Sequence, residues 1–177
     1  QDTLNQHSLD AYIVTAEEDI WYLTSITYRP EERPFFIIIA PKQKPILIVP
    51  KLEEAHVHKA IIDCKILSYW EYPSPAKENW YDVLNEILQK YTRVGIESNV
   101  KMEVYSKIQA KELVLDHLVA MQRQVKSSLE LEMIRASAKI CDQSMQKIFD
   151  SAYTGATVTE IFALSKSIQN EIGRAHV

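Results

Sequence analysis

The stretch that decides how this chain is built is QVKSSLELEMIRASAKICDQSMQKIFDSAY, Gln124–Tyr153. Within it SSLE forms a capping box: Ser127 accepts from a free amide of the first turn, and Glu130 reaches back to the cap residue. From there Leu131, Ile134, Ala138, Cys141, Met145 and Ile148 recur at steps of three and four, which sets them along one helical face that must be buried against something. Gly155 then reads as the glycine that closes this helix, and Thr157 opens another with a second box to Glu160. This long helix starts late in a chain of 177 residues. It follows segments that already read as a finished α/β domain. The organisation expected is a whole accessory domain in residues 1–123 and the first two helices of a truncated second domain in 124–171.

Working back from that boundary, LDAYIVT (Leu9–Thr15) is a short apolar strand. EEDIWYLTSI follows as a short helical turn with Ile20, Leu23 and Trp21 facing inward. PFFIIIA (Pro34–Ala40) and PILIVP (Pro45–Pro50) are near-continuous apolar runs joined by PKQK, which predicts a β-hairpin buried on both faces. KLEEAHVHKAII (Lys51–Ile62) reads as a helix with Leu52 and Ala55 near its inner face. KILSYW (Lys65–Trp70) is another strand. NWYDVLNEILQKY (Asn79–Tyr91) is an amphipathic helix whose apolar face carries Trp80, Val83, Leu84, Ile87, Leu88 and Tyr91. RVGIES (Arg93–Ser98) is a strand whose glycine permits close packing, and KMEVYSKIQAKEL (Lys101–Leu113) is taken as one further helix. Strands interleaved with helices predict a three-layer α/β unit with a mixed sheet.

Composition narrows the partners. Apolar residues make up 46% and charged residues 25% of the chain, which is ordinary globular usage. With a net charge of −4 and no basic run, nucleic acid and anionic membrane surfaces are not expected partners. No apolar stretch is long enough to span a bilayer. The 2 cysteines, Cys64 and Cys141, are far apart in sequence and suit a reducing, cytoplasmic setting rather than a disulfide framework. The 3 glycines are scattered, so no phosphate-cradling loop of the Rossmann or P-loop kind exists here. The chain opens on Gln1 with no leader pattern, and its true start is expected upstream.

Candidate chemistry is thin. His56 and His58 are two apart, so a helix would turn their rings to opposite sides, whereas metal ligands on a helix need a spacing of three or four. Asp63 and Cys64 do not complete a ligand set. Cys141 lies on the apolar stripe and reads as a packed thiol. The acid pairs Glu17–Glu18, Glu31–Glu32 and Glu53–Glu54 are adjacent in sequence and read as solvated. No nucleophile elbow or catalytic-cysteine pattern occurs. Trp70, Tyr72, Trp80 and Tyr81 flank a proline-containing loop and could rim a binding cleft; the plainer reading puts Trp80 in the core and the others on the sheet edge. No catalytic or metal-binding residue is assigned, and the substrate-binding residues are left unknown.

The order of segments adds a resemblance. LDAYIVTAEEDIWYLTSI, with Ile20, Tyr22, Leu23 and Thr24, resembles the opening of the creatinase/prolidase N-terminal domain, and ERPFFIIIAPKQKPILIVPKLEEA looks like its hairpin and helix. RVGIES is similar to its Val-Gly-Ile-Glu strand. RQVKSSLELEMIRASAKICDQSM resembles the family's junction through Arg123, Lys126, Ser127, Glu130, Ile134, Arg135 and Ala138, with Glu132 as an additional acid. GATVTE (Gly155–Glu160) resembles the turn that follows, with one extra residue before the Thr-Glu pair. The likeness covers nearly the whole chain.

The family implied is the pita-bread metallopeptidases: Xaa-Pro aminopeptidases, Xaa-Pro dipeptidases and the relative creatinase. The resemblance implies a creatinase-like N-terminal domain followed by the start of a pita-bread catalytic domain. It also implies a peptide substrate with proline second, a homodimer, and two divalent ions (Mn, Co or Zn) that activate water in the intact protein. The family's metal ligands, two Asp, a His and two Glu, fall downstream of these helices, so this fragment is expected to hold none of them and to be inactive. A binding protein on the same fold and a creatinase-like C–N hydrolase are the alternatives, since function lives in the site and not the fold. The last six residues, IGRAHV (Ile172–Val177), are what a common short-read sequencing adapter encodes in one frame, and are expected to be non-native.

Overall fold

The long apolar runs in the first two thirds of the chain become the middle of one sheet. The computed structural model describes residues 2–27, 33–57 and 62–174. Glu31, Glu32, His58 and the end of the IGRAHV tail lie outside them. The chain separates into two compact units, Gln1–Gln124 and Val125–Val177.

In the first unit α1 (Asp2–Gln6) leads into β1 (Ala11–Val14), α2 (Glu17–Thr24), β2 (Phe36–Ile39) and β3 (Ile46–Pro50). A single 3-10 turn (Lys51–Glu53) then passes into α3 (Glu54–Val57) and β4 (Lys65–Tyr69). α4 (Trp80–Leu88), β5 (Arg93–Glu97), α5 (Met102–Tyr105), β6 (Glu112–Asp116) and α6 (Leu118–Gln124) complete it. The six strands form one mixed sheet in the order β4-β3-β2-β1-β5-β6. β1–β2 and β2–β3 are antiparallel, with Ile13 opposite Ile38 and Ile37 opposite Leu47. The pairs β1–β5, β3–β4 and β5–β6 are parallel.

Successive strand residues point to opposite faces, and both faces are covered. Ile13, Phe36, Ile38, Ile48, Val94 and Ile96 face Leu84 and Leu88 of α4 and Val104 of α5. Tyr12, Val14, Ile37, Leu47 and Val49 face Leu4, Ile20, Leu118 and Val119 of α1, α2 and α6. That is why these strands read as unbroken apolar runs rather than as alternating ones. The result is the three-layer mixed α/β architecture that the segment order predicts. Gly95 is required by the central packing: a Cβ there would lie 2.6 Å from Tyr12 Cδ2 and 2.7 Å from Leu9 Cδ1.

Several local expectations are corrected. Trp21 is 51% exposed on α2, and Ile20 alone of the inward trio is fully buried. The 51–62 helix is short and irregular, Leu52 is exposed, and Val57 is its buried anchor. Residues 101–113 are not one helix. α5 stops at Tyr105, and Glu112 begins the edge strand β6, which the periodicity reading missed. The cause is tertiary. The half-turned chain after α5 is tied to α4, where Asn85 Nδ2 donates to the Lys107 carbonyl at 2.9 Å and Asn85 Oδ1 accepts from Gln109 N at 2.8 Å. Backbone groups that a longer helix would have paired internally are satisfied by a neighbouring side chain instead.

The second unit is two helices, α7 (Ser128–Ser151) and α8 (Val158–Arg174). Both capping boxes form. Ser127 Oγ accepts from Glu130 N at 3.3 Å while Glu130 Oε2 accepts from Ser127 N at 2.8 Å. Thr157 and Glu160 repeat the arrangement. α7 ends at Ser151 rather than at Gly155, which sits in the connecting turn with φ +96, a region that favours glycine. The stripe is not buried: Leu131, Ile134, Ala138, Cys141 and Met145 are exposed. Ser144 is the buried residue of α7, with Ile140 and Ile148 half-buried along the same line. Cys141 is therefore an exposed thiol, not a packed one.

Candidate functional site

Two clefts in the first unit gather the polar and aromatic groups that the core leaves over. The first lies at the carboxyl end of the edge strand β4. There the chain leaves Tyr69 and crosses Trp70, Glu71 and Tyr72 before α4 begins at Trp80. These residues, with Tyr81, Asn79 and Arg33, line a cleft of about 430 Å³. All four aromatics singled out by the sequence thus meet in one place.

Each has a distinct setting. Trp80 is both wall and core: its ring lies 5.3 Å from that of Phe36 and it packs against the buried cluster under α4. It also meets Tyr81 edge to face, at 5.4 Å and 79°, an arrangement favoured by the ring quadrupoles. Lys107 Nζ stands 5.6 Å from the centre of the Tyr81 ring. Trp70 and Tyr72 form an exposed rim, Tyr72 almost wholly so. The floor is Tyr69, whose hydroxyl donates to the Pro34 carbonyl at 3.2 Å.

Two acceptors in this cleft are buried without a hydrogen-bond partner: Glu71 Oε1 and Asn79 Oδ1. Glu71 Oε1 lies 3.5 Å from Arg33 Nε, an ion pair without hydrogen-bond geometry. Asn79 occupies the N-cap position of α4, yet its side chain makes no capping bond. Its amide nitrogen reaches Ser74 Oγ at 3.4 Å instead. Asn at an N-cap ordinarily accepts from the first turn, and buried acceptors ordinarily have partners.

The second cleft, about 210 Å³, lies at the carboxyl ends of β1 and β5 and beside the β6–α6 junction, and it includes Asp19, Glu97, His117 and Arg123. In open α/β sheets the carboxyl ends of parallel strands are where ligands gather. Glu97, the last residue of β5, is 3% exposed. Its Oε2 accepts from Thr15 N at 2.6 Å, Thr15 Oγ1 at 2.7 Å and Ala16 N at 2.9 Å, which clamps the turn between β1 and α2. Its Oε1 is buried without a hydrogen-bond partner. Burial pushes the Glu97 carboxyl up to about 7; the three bonds from Thr15 and Ala16 oppose the rise, and the nearby Asp19 carboxylate adds to it. Asp19, also buried, is held by Arg123 of α6, Nη1 to Oδ1 at 2.5 Å. Burial, and next the Glu97 charge, push the Tyr12 hydroxyl up as well.

Sequence reasoning did not pick out Glu97, Asp19 or Arg123 as a constellation. The one legible signal was an acid closing the apolar run RVGIE; the Asp19–Arg123 partnership spans 104 residues and has no local pattern. The metal-ligand candidates do not assemble. His56 is exposed, Cys64 is half-buried, and burial raises its thiol. Among the described residues no group of three or more His, Cys, Asp or Glu is placed to hold a metal ion. The donor set of this chain does not fit a dinuclear metal site, and no chemical step is derived through one. The acids at 17–18 are exposed, as solvated acids are, while those at 53–54 are half-buried.

The comparisons with known proteins bear on the whole chain. The model of the Creatinase/Prolidase N-terminal domain matches residues 1–137. An uncharacterized peptidase of Staphylococcus haemolyticus is 25% identical over 174 residues, covering 96% of this chain and 47% of its own length. An uncharacterized hydrolase/peptidase of Sinorhizobium fredii is 28% identical over 173 residues, covering 88% and 44%. Among solved structures, the prolidase from Pyrococcus horikoshii is similar with TM-score 0.77 and 19% identity, over 97% of this chain and 47% of that one. The X-Pro aminopeptidase from Thermotoga maritima gives 0.74 and 18%, over 97% and 48%. The chain spans about half the length of the relatives it matches. With its sheet, its helices and most of its length matched by that one family model, the chain belongs to the Creatinase/Prolidase N-terminal domain family.

Proposed function

We propose that this chain is the N-terminal part of a metal-dependent Xaa-Pro peptidase, one that removes an N-terminal residue preceding proline. The observation that carries the reading is the family match over residues 1–137 in a chain half the length of its peptidase relatives. In this reading 124–171 begin the catalytic domain, and the two Asp, one His and two Glu that bind a pair of Mn, Co or Zn ions lie in the chain that follows. Those ions supply a water activated for attack on the scissile carbonyl. The 177-residue chain by itself is inactive. The N-terminal domain supports a homodimer and walls the entrance to the active site. Two unpaired cysteines, Cys64 and Cys141, suit a reducing cytoplasm.

The test is to recover the coding sequence beyond residue 171 and assay the whole protein on an Ala-Pro peptide with and without Mn²⁺. The five ligands in family order and metal-dependent release of alanine are the expected result. A second half with those five positions replaced, and no hydrolysis, leaves a binding protein on a peptidase fold and overturns the proposal. Hydrolysis of a guanidino C–N substrate in place of the peptide overturns it in favour of the creatinase-like reading.

A further inference from the structure

We infer that the aromatic cleft at the end of β4 is a binding site for a short, extended, apolar peptide, separate from any catalytic centre. Its two orphan acceptors, Glu71 Oε1 and Asn79 Oδ1, are both buried among aromatic walls. Buried acceptors without partners demand donors, and a peptide backbone offers N–H groups at regular intervals. Asn79 adds weight because it forgoes the capping bond its position invites.

The charges on the lining choose between ligand classes. Arg33 and Lys107 are matched by Glu71 and Glu103. A balanced set of this kind favours neither a polyanion nor a polycation. Part of the positive charge is already engaged, since Arg33 pairs with Glu71 and Lys107 sits over Tyr81. The remaining recognition surface is the flat faces of Trp70, Trp80 and Tyr81. Aromatic-lined grooves of this kind hold extended, proline-containing segments, whose ordering cost is low. The volume, about 430 Å³, is within the range of small-ligand sites. The occupant is a free peptide rather than a nucleotide, a metal or a lipid headgroup. The inference rests on the peptidase reading only for the choice of a proline-containing probe.

The experiment titrates the ¹⁵N-labelled 177-residue chain with Ala-Pro-Ala and follows the three tryptophan indole N–H signals. Trp70 and Trp80 line the cleft, while Trp21 lies on α2 outside it. Saturable shifts at Trp70 and Trp80 with Trp21 unmoved are expected. Glu71→Ala should weaken binding fivefold or more, about the loss of one bond to a charged acceptor. Trp70→Ala, on the exposed rim where folding is undisturbed, should do the same. No saturable shift up to about 20 mM peptide, unchanged affinity in both variants, or equal shifts at Trp21 would each overturn the inference. Saturation of the same signals by free indole but not by the peptide would overturn it too, leaving an apolar slot. No hydrolysis is read, so the outcome is independent of whether the intact protein is a peptidase.

Discussion

The sheet of the first unit and the helix pair of the second were built from equally apolar-looking sequence, and they ended in opposite states. Ile13, Ile37, Ile48 and Ile96 are essentially inaccessible. Ile134, Met145 and Phe149 on α7 are about half exposed or more. The difference is not in the residues. A strand in the middle of a sheet has neighbours on both sides and helices above and below, so six strands and five nearby helices close over each other. Two helices alone have one shared seam, here the line through Ile140, Ser144 and Ile148, and the rest of each apolar face stays in solvent. Periodicity reports that a face is meant to be buried; it does not supply the partner.

The comparison is sharpest in a pair of truncations. Leu84→Ala, at a fully buried position under the sheet, should cost about 2–5 kcal/mol through lost burial and the cavity left behind. Ile134→Ala should cost about 0.5 kcal/mol or less, as for exposed sites. Urea unfolding of both variants reads the difference. Equal costs would mean that the α7 stripe is packed in solution and would break the contrast.

The next effect comes from the buried acid. Glu97 has an ordinary carboxyl pKa of 4.5 when unfolded and about 7 when folded. Between those values the folded chain keeps a proton that the unfolded chain has released. Stability is therefore highest at acidic pH in this window, falls as pH rises from about 4.5 to 7, and levels off above, by at most about 3 kcal/mol. Glu97→Gln keeps an acceptor for Thr15 and removes the titration. Its melting temperature should lose that slope between pH 5 and 8; an unchanged slope would place the titrating group elsewhere.

The smallest effect tests the helix pair on its own terms. Ser127→Ala removes the acceptor that holds Glu130 N and should cost about 1 kcal/mol of local helix stability. Amide exchange in the first turn of α7 should accelerate while the amides of β1 and β5 do not. Acceleration throughout the sheet would show the two units unfolding as one.

Much of this was legible in the chain itself. β1 to β5 announced themselves because central strands covered on both faces are unbroken apolar runs. α4 did so because Trp80, Val83, Leu84, Ile87 and Leu88 keep one face. β6 did not: ELVLD is short, sits at the sheet edge and exposes Leu115, so neither period stands out. The aromatic cleft was half legible, its four rings visible as a cluster around a loop. The Glu71 and Asn79 acceptors that give it polarity were not.

What the sequence determined alone was local and periodic: the capping boxes at Ser127 and Thr157, the helical face of α4, the buried hairpin, and a glycine in the close-packed strand β5. These follow from contacts between residues a few positions apart or from a simple repeat. Tertiary structure decided what depends on partners far away in sequence. Asn85 ends α5 by taking up the backbone of residues 107 and 109, Arg123 finds Asp19, and Glu97 is sealed against Thr15 and Ala16. A buried polar group must find its partner wherever the fold brings one, and no local pattern in the chain names that partner in advance.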